Sequence, residues 1–409
     1  VADVQRLPEA VLRALDARME DAENLIRDKA ATAIARVVQC QHPEMVHQVD
    51  RAMLQNTEGP SRFRVALGIA KARRNQTFQE DLLDVLADAL VRGGKEIRRR
   101  SSEALARAAT RNDTSDRVLH ALAVALKDRE RRVRFKAAWA LGEFAVRSPL
   151  PEAVLRALGE ALRRDGDEEV RTNIAWAIAQ AAGNSEVPAA VVDRLAERVG
   201  DSSRTVRRNS VGALVVAAGK MELARHTMER LAVALKDSCK DVRCNAALAI
   251  GKAAGRQEVP AGAIDALAGA LADLDRDVRR AAARAAAKAT GENVIGREVL
   301  QALGFALGDP DMDVRQHAAK ALAKVAAGQQ VPEEVVGSVA AALKDEDMYI
   351  RGVAARALGE LARKGQVSSA VRAALNQALG DFEESVRRSA AWALRRADGR
   401  HRAEGREVD

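Results

Sequence analysis

The stretch Val314–Leu322 reads VRQHAAKAL, and the chain repeats it. In outline it is Val/Ile-Arg-x-x-Ala-Ala-x-Ala-Leu. It stands as VRFKAAWAL at Val133, VRTNIAWAI at Val170, VRRNSVGAL at Val206 and VRCNAALAI at Val242. It returns as VRRAAARAA at Val278, IRGVAARAL at Ile350 and VRRSAAWAL at Val386, with weaker copies from Ile26, Ser61 and Ile97. The arginines that mark the copies are Arg27, Arg62, Arg98, Arg134, Arg171, Arg207, Arg243, Arg279, Arg315, Arg351 and Arg387. Their spacings are 35, 36, 36, 37 and then 36 six times. A fixed period of this size marks one supersecondary unit stacked on itself, and it decides the fold before any local reading does.

Each period predicts two helices. The first carries apolar residues at helical spacing, as in VLHALAVAL (Val118–Leu126) and VLQALGFAL (Val299–Leu307). It often opens at a proline: Pro8, Pro43, Pro151, Pro188, Pro260 or Pro332. Proline suits a first helical turn, where its missing N–H costs nothing. The second helix begins near the repeat arginine. Gly183, Gly219, Gly255, Gly291 and Gly399 each follow their arginine by twelve residues, where a left-handed cap is expected.

Composition agrees. Ala, Leu and charged residues favour helix, and ten aromatics among 409 residues argue against strands. An apolar content of 47% argues against disorder. The longest obvious apolar run, Val211–Ala218, falls far short of the roughly 20 residues that span a bilayer, so no membrane insertion is expected. No signal-peptide pattern opens the sequence, which predicts a cytoplasmic chain. Residue 1 is Val and not Met, consistent with processing or a longer parent chain.

The 36-residue, two-helix unit resembles the HEAT repeat, especially its short, regular prokaryotic form, from about Pro8 to Gly399. The most specific element is an Asp six residues before the repeat arginine: Asp21, Asp128, Asp165, Asp201, Asp237, Asp273, Asp309, Asp345 and Asp381, with Asn56 and Arg92 as departures. The resemblance implies an all-α, right-handed α-solenoid of about eleven two-helix repeats. It would fill residues 1–399 as a single domain, weaker over 1–112 and regular over 113–399, followed by a charged tail at 400–409. It also implies a structural ladder in which each arginine bonds turn groups of its own and neighbouring repeats. That ladder comprises Asp128, Arg134, Asp165, Arg171, Asp201, Arg207, Asp237, Arg243, Asp273, Arg279, Asp309, Arg315, Asp345, Arg351, Asp381 and Arg387. An Arg fork matches carboxylate geometry, and partial burial strengthens the pair.

Signals for chemistry are missing. Cys40, Cys239 and Cys244 show no metal or pairing pattern, and the six histidines do not cluster. There is no P-loop, no dinucleotide fingerprint and no nucleophile elbow. Acidic groups such as Glu168–Glu169 or Asp345–Asp347 suit helix N-termini better than acid–base work. No enzyme, metal or cofactor is expected.

Function then falls to positions the fold does not need. With the repeat arginine at zero and about 100° per residue, positions −1, +3, +4, +6, +7 and +10 of the second helix form the core face, and +1, +5 and +9 lie opposite. By resemblance, those columns line a concave groove. They hold Phe135, Trp139, Trp176, Arg280, Arg284, Lys320, Arg356 and Trp392, and seven of eleven +9 residues are basic. All three tryptophans occupy +5. Position +2 adds Asn173, Asn209 and Asn245, whose amides can pair with a peptide backbone. The leading expectation is a non-enzymatic protein-binding scaffold, a subunit of a larger complex, holding an acidic or extended segment. Nucleic acid tracked along the basic columns is the main rival. An enzyme or accessory factor like the HEAT-like lyases that attach bilin chromophores, which resemble this repeat type, is a third.

Overall fold

The structure is a computed structural model that describes residues 32, 33, 35, 46–55, 59–73, 76–290 and 295–404. Expectations placed on Pro8, Asp21, Arg27, Cys40, Pro43, Asn56, Gly291 and the last five residues lie outside it. Twenty α-helices and two short 3-10 turns make up the described chain, and it contains no strand. The fold is an all-α solenoid of helix pairs, in two compact units that meet at Arg194 and Leu195.

Unit 1 holds α1 (Val46–Gln55), α2 (Gly59–Ala72), α3 (Glu80–Arg92), α4 (Lys95–Ala109), α5 (Asp116–Ala125), α6 (Arg131–Arg147), α7 (Glu152–Arg164) and α8 (Glu168–Asn184). The boundary falls in α9 (Ala189–Glu197). Unit 2 holds α10 (Arg204–Lys220), α11 (Arg225–Ala234), α12 (Lys240–Ala253), α13 (Ala261–Ala270), α14 (Arg276–Ala289), α15 (Arg297–Ala306), α16 (Met312–Gly328), α17 (Glu333–Ala341), α18 (Met348–Arg363), α19 (Ser369–Ala378) and α20 (Glu384–Glu404). Inside each unit every even-numbered helix packs on the next even one, and the odd helices pack beside them as an outer layer. In α6 the core positions Val133, Ala137, Ala138, Ala140 and Leu141 are completely buried, and Phe144 nearly so. Alanine at these positions lets neighbouring helices approach closely, so little aromatic volume is needed.

The repeat arginines and turn aspartates are joined across neighbouring repeats. Nε of Arg98 donates to Asp128 at 2.6 Å, and Nε of Arg134 to Asp165 at 2.6 Å. In unit 2 the pairs are Arg207–Asp237, Arg243–Asp273, Arg279–Asp309, Arg315–Asp345 and Arg351–Asp381, at 2.6 to 2.8 Å. The same guanidinium turns Nη1 back onto the carbonyls of its own turn, as Arg243 does to Asp237 at 2.9 Å. Arg171 and Arg387 make that backward bond to Asp165 and Asp381. Each aspartate also accepts the amide two residues on, as Asp201 does from Ser203 at 2.9 Å. The Arg243 guanidinium holds the Asp273 carboxyl below its ordinary value, and Arg351 does the same for Asp381.

A second clamp, unforeseen in the sequence, closes the opposite ends of the helices. Gln329 accepts from the Ile295 amide at 2.7 Å and donates to its carbonyl at 2.9 Å. Gln257 grips Leu223 and Gln366 grips Val331 in the same two-bond manner. Asp113 and Ser185 serve the Phe78 and Leu150 amides with one bond each. The expected left-handed glycine caps are not there. Gly183, Gly219 and Gly399 remain helical, and Gly255 lies in a turn. Among the described residues the one glycine with a positive φ is Gly365, at 77°. Last-turn carbonyls are instead met by side chains of the next repeat: Asn184 donates to Ala145 at 2.9 Å and Lys324 to Ala287 at 2.6 Å. The prolines also sit one residue earlier than a first turn: Pro151, Pro260 and Pro332 are N-caps of α7, α13 and α17. Helix α20 runs through to Glu404, past the residue-399 boundary expected from the repeat.

Candidate functional site

The candidate groove residues divide between the units. In unit 1, Phe135 and Trp139 are half-buried on α6, and the Lys136 ammonium stands 5.7 Å and 5.5 Å from their ring centroids. Trp176, on α8, lies flat against α6 at Gly142, where a β-carbon would come within 2.0 Å of its Cζ3. Its packing is thus with the preceding even helix. Asn173 is half-buried with Nδ2 sealed from solvent and without a hydrogen-bond partner among the described residues. In unit 2, Asn209 and Asn245 are half-buried on α10 and α12.

Unit 2 gathers the basic columns. A cleft of about 810 Å³ opens over α14, α16, α18 and α20. Arg284, Lys320, Arg356 and Trp392 enter it from the same position of the four successive helices. Lys288, Lys324 and Glu360 enter from the +9 column, and Ala287, Ala323, Ala327 and Val353 contribute apolar lining. Five cations thus face one acid.

Their partners set the field. Arg284, Lys288 and Arg356 are exposed and have no carboxylate partner among the described residues. Lys324 donates to the Ala287 carbonyl at 2.6 Å. Lys320 stands 4.9 Å from the Tyr349 ring centroid, a cation–π distance. Glu360 is already shared between Arg363 at 3.1 Å and Arg396 at 3.4 Å. Arg396 also lies 4.2 Å from the Trp392 ring centroid. The acid therefore does not neutralise the free cations, and the cleft carries a net positive field focused by low-dielectric walls.

Arg280 is the exception among the basic candidates. It is tied to Asp311 through Nε at 2.9 Å and Nη2 at 2.7 Å, and Asp311 in turn caps α16 through the Val314 amide. This pairing raises the Arg280 guanidinium and lowers the Asp311 carboxyl from their ordinary values. Arg280 joins helices and is not among the residues lining the cleft.

Besides the small apolar residues, two lining residues were not singled out in the sequence as part of the groove. Tyr349 lies two residues before its repeat arginine, ahead of the columns used to predict the groove. His317 occupies +2, the column read upstream as an asparagine row, and its Nδ1 donates to the Asp313 carbonyl at 2.7 Å. The +2 column was therefore the available signal.

Among the described residues no group of three or more His, Cys, Asp and Glu side chains could hold a metal ion. No described helix is long and apolar enough to cross a membrane. Comparison with known proteins then places the repeats. The family model for HEAT repeats matches residues 83–179 and 264–336. An engineered protein of known structure shares 20% identity with a TM-score of 0.54, over 95% of this chain and 99% of its own. A chain from a structure of the cadherin–beta-catenin interaction and its phosphorylation switch shares 15% identity with a TM-score of 0.56, over 97% of this chain and 98% of its own. At these identities the likeness is one of fold. No curated protein matches the chain.

Proposed function

We propose that this HEAT-repeat chain is a non-enzymatic protein-binding scaffold of the cytoplasm, a subunit of a larger complex, and that its partner occupies the cleft of unit 2. The observation that carries this reading is the convergence of Arg284, Lys320 and Arg356 from three successive helices, with Arg284 and Arg356 unpaired among the described residues. A solenoid stabilises itself through contacts between neighbours. Exposed cations left without acids contribute nothing to that, and they complement an acidic partner in both steering and specificity. The protein-binding solenoid in the cadherin–beta-catenin structure is consistent with such a role.

The test is affinity capture from the source cells with the wild-type chain and an Arg284→Ala plus Arg356→Ala variant. One dominant protein retained by the first and lost by the second supports the reading. Identical retention by both moves the site elsewhere, with the Phe135–Trp139 surface of unit 1 as the next candidate. A second reading, nucleic acid along the same cations, draws on the five basic side chains of the cleft. It predicts binding that falls steeply with salt.

A further inference from the structure

Resting on the binding reading above, we propose that the occupant of the unit 2 cleft is an acidic segment in polyproline II conformation, with a carboxylate at every third residue. Arg284, Lys320 and Arg356 hold one and the same position on α14, α16 and α18, which pack on one another in turn. Packed helices stand about 8–10 Å apart, so the cleft presents a cation at about that interval. A polyproline II chain has three residues per turn and rises about 3.1 Å per residue, so it returns the same face after about 9.3 Å. Carboxylates at positions one, four and seven then meet the three cations in register.

Other backbones fit less well. A β-strand returns the same face after about 6.6 Å or 13 Å, on either side of the required interval. An α-helix returns after about 10.5 Å, but needs about fifteen residues to cover the three cations where polyproline II needs seven. A cleft of 810 Å³ falls within the range of small-ligand clefts, which suits the shorter segment. Between the cations, Ala287, Ala323 and Val353 offer methyl groups to the intervening residues. Every third phosphate of a duplex strand lies about 10 Å further along but has turned by about 105° about the helix axis, so it no longer faces the cleft. Lys320 over Tyr349 and Arg396 over Trp392 would also have to move before a base could stack on those faces.

The experiment measures fluorescence anisotropy with the full chain and three end-capped, labelled peptides of equal composition. These are Glu-Pro-Pro-Glu-Pro-Pro-Glu, Glu-Pro-Glu-Pro-Glu-Pro-Pro, and a block of three Glu followed by four Pro. An oligothymidine and the Arg284→Ala plus Arg356→Ala variant complete the set, with helical circular dichroism verifying that the variant is folded. The period-three peptide is expected to bind about tenfold more tightly than either isomer, a difference of about 1.4 kcal/mol, and the variant to erase that margin. Equal affinity for all three peptides, lost in the variant, overturns the register while leaving the binding reading in place. Oligothymidine bound more tightly than any peptide and lost in the variant overturns both in favour of nucleic acid. Binding of every probe unchanged by the variant, or no binding at all, overturns the cleft as the site.

Discussion

The indole of Trp392 rests on Gly359 of the preceding even helix, so closely that a β-carbon on that glycine would stand 2.3 Å from Cζ3. Trp176 rests on Gly142 in the same way, at 2.0 Å. In both cases a tryptophan at +5 meets a glycine at +8 of the repeat before. Gly359→Ala and Gly142→Ala are expected to push the rings out and to destabilise by about 1–3 kcal/mol, as overpacking does. Gly183→Ala, where an added β-carbon meets nothing, should be neutral or stabilising by about 0.4–1 kcal/mol. Urea unfolding followed by tryptophan fluorescence checks all three; a harmless Gly359→Ala would show that the contact is loose.

The most buried rung of the Arg–Asp ladder is Arg315–Asp345, with both side chains 9% exposed. Arg315→Ala strands Asp345 and is expected to cost about 3 kcal/mol. Arg315→Lys should recover only part of this, because one ammonium cannot reproduce a fork that bonds Asp345, Glu346 and two carbonyls of its own turn. Denaturation midpoints of the two variants decide the matter, and equal midpoints would argue that charge alone matters.

Acid should loosen the ladder. Asp273 and Asp381 have folded values below the 3.8 of an unperturbed aspartate. Groups depressed on folding stabilise fully above the unfolded value and lose that contribution as pH falls through the folded one. Stability should therefore be flat from neutral pH down to about 5 and decline below about 4. Chemical denaturation across that range is the check; a decline beginning near pH 6 would implicate histidine instead.

The glutamine clamp makes a local prediction. Gln329→Ala leaves the buried backbone of Ile295 without its two bonds. A cost of about 1–3 kcal/mol is expected. Hydrogen exchange should show the Ile295 amide losing protection while amides in the middle of α12 keep theirs.

The cleft variant separates binding from stability. Arg284→Ala plus Arg356→Ala removes two exposed side chains without carboxylate partners among the described residues. Its unfolding free energy should change by no more than about 0.5 kcal/mol per site. A large loss of stability would mean that these arginines serve the fold.

Much of the architecture was legible because it is periodic. The arginine spacing, the turn aspartates and the alanine faces recur often enough that one register explains Val133 and Val386 alike. The glutamine clamp was not legible, since Gln257, Gln329 and Gln366 share their place, fourteen or fifteen residues after the repeat arginine, with Ser185 and Asp113 in other repeats. Glycine was misread there for the same reason: its capping role is taken by a neighbour's side chain that no local rule anticipates. Within the cleft, Arg284, Lys320, Arg356 and Trp392 followed from helix geometry. Tyr349 did not, because it reaches the cleft from the helix start. Arg280 shared a column rule but is held by Asp311, and pairing across repeats is invisible to a column count.

The ladder joins residues thirty positions apart at both Arg207–Asp237 and Arg243–Asp273. Excising residues 237–272 would set Arg207 thirty positions before Asp273, restoring the rung with one repeat fewer. The Arg134–Asp165 rung spans thirty-one positions, inside the one 37-residue repeat, and still closes at 2.6 Å, so a single extra residue is taken up between the two partners. The molecule is thus adjustable by whole repeats, like a chain whose links can be taken out one at a time.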